Sequence, residues 1–292
     1  MVKGKLTGLL TTLLLLAPML KGQEQVAPFS TFKTTRIINA HSSETLFKRH
    51  LDFRVTHRFG DIGGSSGGFH NFYGLDNARD IRIAFEYGII DDLDIGIGRS
   101  KGAGPQREIF DGFAKYRFFQ QGKDGGSPVN LTGLVSTACT AMEPSGQETL
   151  ATAFTNWDQR LTYTYQALLS RRFSDRFSME LMPTYIHRNF VAFEDQNTFF
   201  AIGTGGTIKI SKLIGVTAEY FYTLPNARTV GNTEYHNPLA IGVEIETGGH
   251  VFHLNLMNSG GIGESQFIPY TASDWLEGEF RFGFNISRTF KL

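Results

Sequence analysis

The sequence predicts an all-β protein, a transmembrane antiparallel up-and-down β-barrel of about twelve strands with short periplasmic turns and long external loops. Three observations lead there. Apolar and polar residues alternate with period two along many segments, so each would form a strand with one greasy and one polar face. The connections between these segments are in turn short and long. The chain is also rich in aromatics and glycine, with 26 Phe, 10 Tyr and 33 Gly, yet only 41% of its residues are hydrophobic. Lipid-facing strands diluted by polar lumen positions and polar loops would give that balance.

Residues 1–22 come first, with Lys3 and Lys5 ahead of an apolar run from Leu9 to Leu20. This reads as a cleavable signal peptide, cut near Gly22 and Gln23. The run is too short for a helical span, which needs about 20 apolar residues. No cysteine lies near the cut, so a lipid anchor is not expected. Residues 23–46 form an N-terminal periplasmic segment or plug. Within Arg36-Ile37-Ile38-Asn39 the two isoleucines call for burial, and a polar lumen would offer partners to Arg36 and Asn39.

Residues 47–292 form the barrel. Leu51, Phe53, Val55 and Phe59 share one face of the first strand, and Asp52, Arg54, Thr56 and Arg58 share the other. In the second, Ile81, Ile83, Phe85, Tyr87 and Ile89 oppose Arg82 and Glu86. In the last, Phe280, Phe282, Phe284, Ile286 and Phe290 oppose Arg281, Asn285, Ser287 and Thr289. The same reasoning places strands at 47–60, 80–90, 93–100, 109–120, 129–141, 158–172, 177–188, 198–211, 213–223, 238–247, 250–258 and 278–291. Period alone does not say which face looks outward, because a soluble sandwich would turn the apolar face inward. The loop alternation decides for the membrane, as do Tyr87, Tyr116, Tyr163, Tyr165, Tyr185, Tyr220 and Tyr222 on the apolar faces, where an interfacial girdle would sit.

Charge is balanced at 28 basic and 28 acidic residues, so no global field recruits nucleic acid. The single cysteine, Cys139, excludes a disulfide framework and a cysteine-based metal cluster. With apolar faces toward lipid, the lumen receives Asp52, Arg54, Arg58, Arg82, Glu86, Asp111, Lys115, Arg117, Arg160, Glu180, Glu219, Glu244 and Arg281, with Arg188, Lys209 and Glu246 beside them. Both signs are interleaved, whereas a selective channel more naturally carries rings of one sign. A paired network that largely closes the lumen follows, since charges without water need partners. At the seam, Asp52, Arg54 and Arg58 should meet Arg281, Asn285 and Thr289, with Asp52 accepting from an arginine.

No hydrolase motif surrounds any of the eight histidines. His253 and Asn255 share a strand face, and Ser287 would lie on the neighbouring strand, but spacing alone does not make that trio a catalytic site. Asp61, His70, Asp76 and Asp80, or Glu234 and His236, lack a spacing that sets metal ligands on one point. Neither catalytic residues nor a metal or other cofactor is expected.

Several stretches resemble a family of membrane-bound β-barrel proteins of unknown function, the DUF5777 type, found mainly in Bacteroidetes. They are Arg36-Ile37-Ile38-Asn39, His57-Arg58-Phe59-Gly60, Phe72-Tyr73-Gly74-Leu75-Asp76, Glu86-Tyr87-Gly88, Lys115-Tyr116, Ile268-Pro269 and Gly283-Phe284-Asn285-Ile286-Ser287-Arg288-Thr289-Phe290. The resemblance implies an outer-membrane location and a barrel fold, and no reaction. The end Phe290-Lys291-Leu292 departs from the terminal aromatic typical of proteobacterial barrels. The functional expectation is a largely closed structural or partner-binding barrel, not an enzyme. The alternatives are a narrow passive channel for small polar solutes and an outer-membrane hydrolase. Expected partners are outer-membrane lipid, the barrel-assembly machinery during biogenesis and an unidentified external or periplasmic protein.

Overall fold

The computed structural model describes residues 30–64, 66–122, 126–226, 228–247 and 249–292. The expected signal peptide at 1–22 lies outside the described residues. Among the described residues fourteen strands occur in chain order: β1 His50–Asp61, β2 Ala78–Ile90, β3 Leu93–Lys101, β4 Ile109–Phe119, β5 Asn130–Thr140, β6 Leu161–Arg172, β7 Phe177–Arg188, β8 Thr198–Lys209, β9 Ile214–Leu224, β10 Arg228–Val230, β11 Thr233–Tyr235, β12 Leu239–Thr247, β13 His250–Met257 and β14 Arg281–Lys291. All but β10 and β11 close into one antiparallel barrel, in which β9 pairs with β12 and β1 pairs with β14.

Each of the twelve expected segments is one barrel strand. The largest displacements are three residues, at 47 against His50, 158 against Leu161 and 278 against Arg281. The causes are local. Arg49 takes φ 61°, which interrupts an extended run before β1. Asn156 and Gln159 form a capping box over the short 3-10 turn Trp157–Arg160. Asp274 likewise accepts from the Leu276 N–H at the turn Trp275–Glu277. The β10–β11 hairpin was read as plain loop, and it turns at Gly231, whose φ of 58° suits glycine.

The faces fall as alternation requires. Ile83 and Phe85 on β2 are 46% and 43% exposed, while Arg82 and Glu86 on either side of them are buried. Aromatic rows mark both rims. Tyr165, Tyr185 and Phe200 run across β6, β7 and β8 at centroid spacings of 6.0 and 5.1 Å toward the long-loop end. Phe173 stacks on Phe177 at the tight turn 173–176. These exposed apolar bands over a polar interior invert a soluble protein and match a bilayer. Charge placed on this face should therefore cost free energy in a depth-dependent way. Ile286 lies halfway along β14, so Ile286→Arg is expected to destabilise by about 2 to 4 kcal/mol in urea unfolding from lipid vesicles. Phe282, one residue inside the long-loop end, should tolerate Arg at about 1 kcal/mol or less. Equal costs at the two positions would place the membrane elsewhere.

The buried apolar cluster sits inside the barrel. Phe32, Ile37 and Ile38 of the N-terminal segment and Phe267 and Ile268 of the loop before β14 pack against Leu134, Leu168, Met182, Ile186, Phe199 and Phe221 of the wall. The wall makes room for them. On β8 the inward positions Ala201, Gly203 and Gly205 are small, and a Cβ at Gly205 would stand 2.8 Å from Ile37 Cδ1. Burying an isoleucine contributes roughly 1.5 to 3 kcal/mol, so this cluster gives the segment an apolar anchor in an otherwise polar lumen.

Candidate functional site

The site is the lumen and what fills it. Residues 31–46 carry backbone N–H groups that cannot bond to a sheet, and buried donors of this kind need acceptors. Lumen carboxylates provide them. Glu219 on β9 accepts from the N–H groups of Ile38, Asn39 and Ala40 at 2.9 to 3.1 Å, and from Asn39 Nδ2 at 2.7 Å. Glu180 on β7 accepts from the Ser43 N–H at 2.7 Å. Both oxygens of Asp94 on β3 accept from the Leu46 N–H at 3.0 Å. Glu86 on β2 accepts from Thr35 Oγ1 at 2.7 Å.

Donors on the wall complete the match. Asn285 on β14 donates to the Ile38 carbonyl at 2.8 Å, and Thr132 on β5 to the Ser43 carbonyl at 2.8 Å. Arg58 on β1 bridges Asn39 Oδ1 at 2.8 Å and Asn285 Oδ1 at 2.9 Å. The segment thus bonds to walls on opposite sides of the barrel. It enters from the tight-turn end, where Lys48 N–H reaches Asp91 and Lys33 Nζ reaches the Lys212 carbonyl.

A second body descends from the long-loop end. Asn258 to Thr271 of the loop before β14 is almost wholly buried and holds the one-turn helix Glu264–Phe267. Arg36 donates to Glu264 Oε1 at 3.1 Å and so ties the two inserts together. Arg36 also donates to His41 Nε2 at 2.7 Å. Burial, reinforced by the Arg36 guanidinium, holds the His41 imidazole well below its usual range and therefore neutral, as an acceptor must be. Above them an ion-pair cluster joins the loops of the long-loop end. Asp195 of the loop 189–197 pairs with Arg188 at 2.9 Å and with Arg228 of β10. Arg228 also bonds the Pro269 carbonyl and lies 4.5 Å over the Phe199 ring and 4.4 Å over Tyr235.

The expected network residues divide as follows. Arg82 pairs with Asp111, its Nε donating at 3.0 Å. Lys115, fully buried, lies 3.0 Å from Glu86 and 3.6 Å from Asp94. Arg117 pairs with Asp92 at 3.1 Å by the tight turn 91–92. Arg281 pairs with Asp61, facing it across the seam. Glu180 and Glu219 hold the N-terminal segment, while Glu244 on β12 is buried beside Gly215. Asp52 does accept from an arginine, but it is Arg54 of its own strand at 3.1 Å, and its seam partner is Thr289 at 3.0 Å.

One expected member is elsewhere. Arg160 is not in the lumen: it ends the 3-10 turn before β6, bonds the Thr140 and Met142 carbonyls at 3.1 and 2.6 Å, and stacks on Phe154. Because β6 starts only at Leu161, the alternation that put Arg160 inward does not reach it. Asp94, Glu264, Asp195 and Arg228 were missed. Gly96 and Gly98 dilute the pattern of β3 around Asp94, Glu264 and Asp195 lie in connections without a period to read, and Arg228 opens a strand of only three residues.

His253 faces Asn285 across the β13–β14 ladder, and Ser287 faces Val251. Among the described residues no hydrogen bond links His253, Asn255 and Ser287, and no group of three or more His, Cys, Asp or Glu could hold a metal. Part of the wall is unmatched by either insert. Thr217 Oγ1, Glu244 Oε1 and both side-chain polar atoms of Asn255 are buried without a protein hydrogen-bond partner, along adjacent β9, β12 and β13.

A family model described as membrane bound beta barrel domain (DUF5777) matches residues 32–290. In fold the chain is similar to an outer membrane channel from Pseudomonas putida F1, with a TM-score of 0.51 and 10% sequence identity over 85% of this chain and 98% of that one. It is also similar to the KdgM porin in complex with disordered oligogalacturonate, at a TM-score of 0.48 and 7% identity over 82% and 99%. For the NanC porin the values are 0.45 and 8% over 83% and 100%. No curated protein matches the chain in sequence.

Proposed function

The chain belongs to the DUF5777 family of membrane-bound β-barrels, and from that premise we propose that it is a largely closed barrel of outer-membrane type that serves as a structural or partner-binding platform. The observation that carries this reading is the N-terminal segment, whose backbone and side-chain donors are taken up by wall carboxylates from Glu86 round to Glu219. In this reading residues 1–22 are a removable export signal, residues 23–46 are the plug, and the barrel-assembly machinery inserts residues 47–292. The platform carries no catalysis. Its long external loops are what a protein partner would meet.

Planar-bilayer recordings of the purified protein test the closed reading. Silence is the expected result, and reproducible single-channel steps in the parent protein would overturn it. A second reading, a narrow polar conduit, is favoured by the unmatched stripe at Thr217, Glu244 and Asn255. It expects small steps whose cation preference disappears in Glu244→Gln, because a carboxylate lining a narrow path attracts cations.

A further inference from the structure

At the long-loop end most exposed charge is acidic, as at Glu143, Glu148, Glu194 and Glu234. The exposed bases there gather on one sector of the rim, β2 to β4. Arg99 and Lys101 of β3 flank buried Ser100, so they share the lipid-facing side with Ile95 and Ile97, which are 44% and 66% exposed. One carboxylate serves this group: Glu108 is 3.0 Å from Lys101 Nζ and 3.8 Å from Arg99 Nη2. Two cations against one anion leave an excess of positive charge beside an apolar band.

Aromatic rings are exposed on this rim. The Arg99 guanidinium lies 4.5 Å over the Phe110 ring, itself 55% exposed. The loop leading into β2 holds Phe69, Phe72 and Tyr73 open at 79%, 57% and 51%. Rings exposed at this height belong in the headgroup layer, where an apolar body and a polar surrounding are both satisfied. Cations in that layer attract anionic headgroups.

We propose that the external rim of β2 to β4 binds the phosphate of a phosphorylated lipid in the outer leaflet. Arg99 and Lys101 are the phosphate ligands, and Phe110 seats the lipid. Glu108 competes with the phosphate for Arg99 and Lys101. The site is therefore occupied against an internal carboxylate, and its strength depends on salt.

The test uses the full chain in neutral detergent, with diphosphorylated lipid A as the probe and native mass spectrometry as the readout. Arg99→Gln/Lys101→Gln should weaken lipid retention roughly tenfold or more, since each basic residue near a headgroup contributes a several-fold factor. Glu108→Gln should strengthen retention. That opposite sign separates a lipid site from a merely structural ion pair, which would loosen the rim in both variants. Heat-modified gel mobility checks that each variant is folded. Unchanged retention in both variants overturns the proposal, and so does displacement of the lipid by an equal concentration of inorganic phosphate.

Discussion

Glu219→Ala is expected to undock the N-terminal segment at a cost of about 3 to 5 kcal/mol, because it removes the one acceptor shared by the Ile38, Asn39 and Ala40 N–H groups. The barrel ladder does not need the segment, so the loss should appear locally before it appears globally. Hydrogen exchange reports it directly. Protection of those three amides should fall by roughly a hundredfold to a few thousandfold, at about 1.4 kcal/mol per factor of ten, while the amides of β6 and β7 keep theirs. Glu219→Gln, which retains one acceptor oxygen, should fall between. Unchanged protection in Glu219→Ala would mean that Ile37, Ile38 and the apolar wall hold the segment unaided.

Lys115→Met should cost about 3 to 5 kcal/mol of global stability, measured by urea unfolding in lipid vesicles. Lys115 is the cation between Glu86 and Asp94, and both carboxylates are buried on the neighbouring strands β2 and β3. Without it two like charges face each other in a confined space, and one of them also holds the Leu46 N–H. The sharp expectation concerns the pair of changes. Adding Asp94→Asn to Lys115→Met should recover a large part of the loss, since neutralising one carboxylate removes the repulsion, and such coupling is what a double-mutant cycle isolates. Additive losses would show that the three groups do not act together.

The barrel was legible in the sequence because its physics is local. A strand fixes side-chain direction residue by residue, so Ile83, Phe85 and Glu86 declare their faces without knowledge of any neighbour. Lumen residues followed by the same argument, apart from Arg160, which stands one residue before the strand that would have turned it inward. What fills the lumen was harder to read. Arg36, Ile37, Ile38 and Asn39 indicated a buried segment, but their partners Glu219 and Asn285 lie far along the chain. The insert Asn258–Thr271 lacks a period and so reads as an ordinary loop, although Glu264, Phe267 and Ile268 carry its contacts. Pairing across the seam depends on register, which alternation constrains to a face but not to a partner. Thus Asp52 meets Thr289, where an arginine had been expected.

The segment that runs through the lumen also constrains the order of events in biogenesis. It lies at the N-terminal side of β1, while β1 pairs with β14 at the other end of the chain. Its contacts span long loops in sequence, with 180 positions between Asn39 and Glu219 and 247 between Ile38 and Asn285. Contacts of such high order close late and slowly. The earliest part of the chain must therefore wait for the last strand, and a ring closed without it would shut its carboxylates around an unfilled centre. Docking of the segment is thus completed only as the seam closes, and any factor that holds β1 apart from β14 also keeps the interior open for loading.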